Sequence, residues 1–137
     1  MMLVSDVMLS LDRFPVIQHD VILKVCLEEM NSYKLGIAAI IDNAGYLLGV
    51  FTDGDLRRKL LKIQSPLGSL FVDDALLHAI HNPSIVKPED SLVSAVELME
   101  THHVWDLPVV DSKNKLVGLL HLHPAVQALL FKQQILL

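Results

Sequence analysis

In this otherwise apolar 137-residue chain, two clusters of side chains have types and spacing suited to chemistry. The first is Thr52-Asp53-Gly54-Asp55, followed by Arg57-Arg58. An ionised carboxylate such as Asp55 is acceptor-only with two oxygens, so it can take hydrogen bonds from two neighbouring hydroxyls of a ligand. Thr52, three residues earlier, could donate its hydroxyl to an anion, which helix N-terminal amides just beyond it would also favour. The same Thr-x-x-Asp spacing is nearly a capping box, with threonine capping a helix and the acid returning the bond. Arg57 and Arg58 divide in the same way between a solvated helix face and phosphate contact. The second cluster is His121-Leu122-His123, with His102-His103 further upstream. His121 and His123 share a face if a strand runs through them, but no acidic or cysteine ligand stands at a convincing metal-site spacing. They read as polar linings able to meet an anion, and no metal is assigned.

These residues are positioned by a repeat. An offset of 69 lays Leu23 on Leu92, Met30 on Met99, Asp42 on Asp111, Leu47 on Leu116 and Gly49 on Gly118 without a gap. Upstream, an offset of 68 lays Val4-Ser5-Asp6-Val7-Met8 on Val72-Asp73-Asp74-Ala75-Leu76. The expected units are residues 1–68 and 69–137, joined near Ser65-Pro66-Leu67-Gly68-Ser69. Leu23, Cys26, Leu27 and Met30 follow the i, i+3, i+4, i+7 spacing of a helix with one buried face, as do Leu92, Ala95, Val96 and Met99. Ile37 to Ile41, Asp42-Asn43-Ala44-Gly45 and Tyr46 to Phe51 read as two strands around a tight turn. Leu107 to Val110, Asp111 to Asn114 and Lys115 to Leu120 repeat that pattern. Further helices start near Asp53 and Pro124, and short strands are expected around Val16-Ile17 and Ile85-Val86. Each unit thus reads strand, helix, strand, strand, helix, a mixed α/β (α+β) fold. A unit this small is marginal alone, so the two are expected to pack sheet to sheet about a pseudo-two-fold axis, with clefts between them suited to a small molecule.

Composition sets further limits. Hydrophobic residues make up 52% of the chain, enough for a core, yet runs such as Leu35–Ile41 and Leu116–Leu120 fall short of the roughly 20 apolar residues of a membrane span. The opening Met1-Met2-Leu3-Val4-Ser5-Asp6 lacks the succession of a secretory signal, and a lone Cys26 suits a reducing compartment, so a cytoplasmic location is expected. Eleven Lys and Arg against sixteen Asp and Glu, net −5, argue against a general nucleic-acid partner. None of the six glycines forms a Walker-type or dinucleotide-type loop, and no serine sits in a nucleophile elbow.

The strand end Gly49-Val50-Phe51-Thr52-Asp53-Gly54-Asp55-Leu56 resembles the signature of cystathionine β-synthase (CBS) domains, and Leu107-Pro108-Val109-Val110-Asp111 with Gly118 resembles the family's other hallmarks. Together they cover almost the whole chain as a tandem CBS pair. Gly49 to Arg58 and Gly118-Leu-Leu-His-Leu-His123 look like the pair that ends bacterial arabinose-5-phosphate isomerases of lipopolysaccharide or capsule sugar (KDO) synthesis. Some sugar nucleotidyltransferases carry a similar Thr-Asp-Gly-Asp stretch. The resemblance implies an adenosine or cytidine nucleotide, or a nucleotide sugar, bound in the inter-repeat cleft. The implied ligand residues are Thr52, Asp53, Asp55, Arg57, His121 and His123. The offset of 69 puts His121 in the place of Thr52 and Pro124 in that of Asp55, so the second unit lacks the carboxylate that would hold a ribose.

Three functions follow as expectations. The first is a ligand-sensing regulatory module without cofactor or catalytic residue of its own, because in the resembled isomerases catalysis belongs to a separate preceding domain. The second is a sugar-phosphate isomerase, for which no acid–base pair is visible. The third is a dimerisation scaffold, suggested by the apolar content and the Ile135-Leu136-Leu137 tail. A homodimer is expected in each case, since apolar helical faces exceed what one interface can cover.

Overall fold

The computed structural model describes residues 1–136, with side chains described as far as residue 131, so the side chains of the apolar tail at 135–137 lie outside what is described. The apolar periodicities become the expected elements. Strand β1 (Val16–Gln18) leads to helix α1 (Leu23–Tyr33), which buries Leu23, Cys26 and Met30. Strands β2 (Ile37–Ile41) and β3 (Leu47–Thr52) follow, then helix α2 (Asp53–Lys62) and a short α3 (Leu67–Phe71). The later half supplies α4 (Leu92–His102), which buries Leu92, Ala95 and Met99, then β4 (Asp106–Val110), β5 (Leu116–His121) and α5 (Leu122–Leu136).

The repeat extends to backbone details that side-chain type alone does not dictate. α1 and α4 both end on a left-handed non-glycine, Lys34 at φ 56° and His103 at φ 54°. In both hairpins an aspartate ties the turn: Asp42 Oδ1 accepts from the Ala44 and Tyr46 amides, and Asp111 Oδ1 from those of Lys113 and Lys115. The turn needs positive φ at its fourth position, met by Gly45 (93°) and Asn114 (68°), residue types that tolerate it. β2 and β3 pair antiparallel with a bulge between Ile40 and Ile41, and β4 and β5 with one between Val109 and Val110.

The two compact units differ from the sequence halves 1–68 and 69–137. One comprises Asp12–Pro83, the other Met1–Leu11 with Ser84–Leu137. Each leading segment is hydrogen-bonded into the unit that carries the other repeat's sheet. In one unit the Val4 amide donates to the Asp90 carbonyl, and Leu9 bridges Leu119. In the other the Ala75 amide donates to the Val21 carbonyl, and Ile80 bridges Val50. Leu3 and Asp74, bridged to Ser91 and Ile22, occupy the same place. The structural offset of the leading segments is therefore 71, which corrects the offset of 68 read from side-chain similarity. The repeated glycines have a reason here: a Cβ on Gly49 would stand 2.7 Å from the Ile80 carbonyl oxygen, and one on Gly118 2.8 Å from that of Leu9.

Unit 12–83 holds a three-stranded sheet in the order β1-β2-β3, with β1 parallel to β2. The strand expected at Ile85-Val86 shrinks to a single parallel bridge between Val86 and Val109, leaving β4-β5 as a two-stranded sheet. The cause is local, because the next amide, that of Lys87, turns back to the Asp90 carboxylate at 2.9 Å. Each unit has its own core. Phe51, Ile40, Leu23 and Cys26 centre one, and Leu120, Val109, Leu92 and Met99 the other. Among the described residues, no helix is long and apolar enough to cross a membrane.

Candidate ligand-binding site

The β3–α2 corner carries the chain's main polar constellation. β3 ends on Thr52 in extended conformation (φ −123°, ψ 163°), and the chain enters α2 at Asp53, whose amide donates to the Gly36 carbonyl at 3.0 Å. A full capping box closes the corner. The Asp55 amide donates to Thr52 Oγ1 at 3.2 Å, while Asp55 Oδ2 accepts from the Thr52 amide and from the Thr52 hydroxyl, both at 2.9 Å. The other carboxylate oxygen, Oδ1, accepts from Arg58 Nη2 at 2.8 Å. Asp55 is 8% exposed and is the one charged residue classed as buried among the described residues. Burial of an ion is tolerated when it is paired and hydrogen-bonded, and these three donors meet that condition.

Asp55 also lines a cavity of about 450 Å³ that belongs wholly to unit 12–83. That volume lies within the range of small-molecule sites. One wall is the face of α2 that presents residues 55, 58, 59 and 62 at helical spacing, so Arg58, Lys59 and Lys62 follow Asp55 along it. Opposite stand Ser69 of α3, Asp73 and His78. His78 Nε2 lies 2.9 Å from Asp73 Oδ2, whereas its Nδ1 is buried without a hydrogen-bond partner.

The equivalent corner of the other unit is built differently. His121, paired in register with Asp106, brings Nδ1 to 2.7 Å from Asp106 Oδ1. Burial raises the Asp106 carboxyl above the usual aspartate range, and the hydrogen bond and charge of His121 only partly offset this. Pro124 sits in the first turn of α5, where a missing amide costs nothing. Trp105, in the place of Gly36, receives the Leu122 amide on its carbonyl and leaves its side chain 70% exposed.

Of the six ligand residues expected from sequence, Asp55 alone lines the cavity, with Thr52 bound directly to it. Asp53 is exposed and lies over Gly36, whose added Cβ would fall 2.7 Å from Asp53 Oδ2. Arg57 is exposed and absent from the cavity wall, where its neighbour Arg58 stands. His121 and His123 belong to the other compact unit, His123 exposed. Among the described residues no group of three His, Cys, Asp or Glu is arranged to hold a metal ion. Lys59, Lys62, Asp73, His78 and Asp106 were missed. The i, i+4 and i+7 relations of Asp55 to Lys59 and Lys62 were the signal available in the sequence.

Comparison with known proteins agrees with this architecture. An uncharacterised Helicobacter pylori protein is 35% identical over 121 residues, 88% of this chain and 35% of its own length. Arabinose 5-phosphate isomerase KdsD of Yersinia pestis is 31% identical over 125 residues, 91% of this chain and 37% of that protein. The chain thus spans little more than a third of the curated relatives it matches. Among solved structures, CBSX2 in complex with AMP superposes with a TM-score of 0.85 at 25% identity, over 97% of this chain and 99% of that one. The CBS domain pair of MJ0100 in complex with 5′-methylthioadenosine and S-adenosyl-L-methionine gives a TM-score of 0.77 at 17% identity, over 95% and 97%. The CBS domain family itself matches residues 4–62 and again 72–123. Those two matches take in both β-hairpins and the Thr52–Asp55 corner, and the chain belongs to the CBS domain family.

Proposed function

We propose that this chain is a ligand-sensing regulatory module that binds an adenosine nucleotide through Asp55, and that it forms part of a longer protein of the arabinose 5-phosphate isomerase type. The observation that carries the proposal is the buried Asp55 carboxylate on the wall of a ligand-sized cavity. A carboxylate has about four acceptor positions. Two are taken by Thr52 and one by Arg58. Arg58 is 55% exposed and can swing into solvent at little cost, which frees Oδ1 for the two hydroxyls of a ribose. Thr52 then acts by fixing the carboxylate, while Asp53 and Arg57 stand exposed at the same corner to meet outer parts of the ligand. His121 and His123 offer imidazoles to anionic sugar groups in the other unit. AMP, 5′-methylthioadenosine and S-adenosyl-L-methionine in the similar structures favour adenosine over cytidine.

The module has no assigned catalytic residue, and turnover belongs to the part of the relatives that this chain does not span. Self-association into a homodimer fits the exposed apolar side chains Leu60 and Leu61 on α2, Val93 on α4 and Leu130 and Phe131 on α5. A thermal-shift panel of AMP, ADP, ATP, CMP and a cytidine-linked sugar tests the ligand class. A nucleotide at a hundred times its Kd stabilises by about 2.7 kcal/mol, a rise of roughly 8 °C for a chain of this size. Adenosine compounds are expected to give that rise. A flat response to all three would refute the proposal.

A further inference from the structure

The capping box has a consequence for any phosphate that an adenosine ligand carries. The Thr52 hydroxyl is donated to Asp55 Oδ2, the Asp55 amide to Thr52, and the Asp53 amide to Gly36. The groups at the start of α2 that would ordinarily bind an anion are therefore largely committed to the fold. Cations stand further along the cavity wall. Arg58 is paired with Asp55, and Asp73 with His78, whereas Lys59 and Lys62 have no ion-pair partner among the described residues. At about 1.5 Å per residue they lie roughly 6 and 10 Å beyond Asp55 along the helix. Ser65 and Ser69 line the same cavity and add hydroxyl donors.

We propose that this cavity selects nucleotides by their phosphate chain, with Lys59 and Lys62 as specificity-determining residues for a nucleoside diphosphate or longer, including diphosphate-linked sugars. The inference rests on the reading that Asp55 holds the ribose. A ligand anchored there extends its phosphates along α2, where the first reaches Lys59 and the next Lys62. These two cations, joined by Arg58 once the ribose displaces it from Asp55, reward a second phosphate and offer nothing to an uncharged adenosine derivative. Attraction of this kind weakens with salt, whereas the ribose contacts do not depend on it strongly.

Calorimetric titration of the full chain with 5′-methylthioadenosine, AMP, ADP, ATP and inorganic pyrophosphate tests this. ADP and ATP are expected to bind about 10- to 100-fold more tightly than 5′-methylthioadenosine, with AMP between. Lys59→Gln and Lys62→Gln should each remove about tenfold from ADP affinity and leave 5′-methylthioadenosine unchanged. Both lysines are exposed, so neither variant endangers folding. Asp55→Asn should weaken all four adenosine compounds alike. If 5′-methylthioadenosine binds as tightly as ADP, or the lysine variants bind ADP like the parent, the phosphate selection is overturned while the role of Asp55 stands. If pyrophosphate binds in a lysine-dependent manner and no adenosine compound does, the ribose reading falls and the lysine assignment survives as a polyphosphate site. If none of the five binds, both are refuted.

Discussion

Replacing Asp55 by alanine removes one carboxylate that serves three donors: the Thr52 amide, the Thr52 hydroxyl and the Arg58 guanidinium. The consequence for the ligand-free protein can be worked from those contacts. Thr52 still caps the Asp55 amide in this variant, and the lost hydrogen bond of its hydroxyl costs about 0.5–1.5 kcal/mol. Leaving the partly buried Thr52 amide without an acceptor adds about 1–3 kcal/mol where water cannot replace it. The Arg58 pair adds little, about 0–1 kcal/mol, because Arg58 is half in solvent. Together these give about 1.5–5.5 kcal/mol, and at roughly 3 °C per kcal/mol for a chain of this length the melting temperature should fall by about 5–16 °C. Asp55→Asn keeps one acceptor oxygen and should fall about half as far. Arg58→Met, which removes only the exposed pair, should stay within about 3 °C. Thermal denaturation followed by circular dichroism without ligand measures all three. An alanine variant that melts within 2 °C of the parent, or an Arg58→Met loss as large as that of Asp55→Ala, would refute the reasoning.

Gly118→Ala would push a Cβ against the Leu9 carbonyl and should cost about 1–3 kcal/mol, with faster amide exchange at Leu9 and Leu119 as the local signature. Normal protection there would contradict the close approach. Asp106 has its carboxyl raised by burial, so the folded chain holds that proton more tightly than the unfolded chain. Its contribution to stability therefore falls as pH rises from the ordinary aspartate range through the raised value. Asp106→Asn retains an acceptor for His121 and should be as stable as the parent or more so at pH 7, with a flatter pH profile, in denaturant titrations. Cys26 is fully buried with its thiol pushed up to about 12 by desolvation and by Glu29. A maleimide should label it only at the rate of unfolding, and rapid labelling of native protein would count against its place in the core.

The repeat and most of its elements were legible because they rest on local signals. The helical stripes at Leu23–Met30 and Leu92–Met99 and the aspartate-tied turns at Asp42 and Asp111 recur at one offset. The exchange of leading segments was not legible, since Leu9–Leu119 and Ile80–Val50 are pairings of backbone groups, to which side-chain type is nearly indifferent. The sequence signal nearest to it was Gly49 and Gly118, whose small size was read as part of a motif and not as room for a crossing chain. The expected join at Ser65-Pro66-Leu67-Gly68-Ser69 runs into α3 (Leu67–Phe71), because Leu70 just beyond it buries against the core of unit 12–83. At the site, Thr52-x-x-Asp55 announced both a cap and a ligand group, and the cap is fully formed. The cavity opposite it was hidden because it needs Ser69, Asp73 and His78 to return to α2 through a turn that sequence spacing does not specify.

The central claim is that one nucleotide binds per chain through the Asp55 carboxylate, since Pro124 offers no acceptor at the matching position of the other unit. Calorimetric titration of the parent, Asp55→Ala and Pro124→Ala with ADP measures it directly. The expected result is one site per chain in the parent, about ten- to a hundredfold weaker binding in Asp55→Ala, and parent-like affinity in Pro124→Ala. Two equal sites per chain, or an Asp55→Ala variant that binds ADP like the parent, would contradict the account.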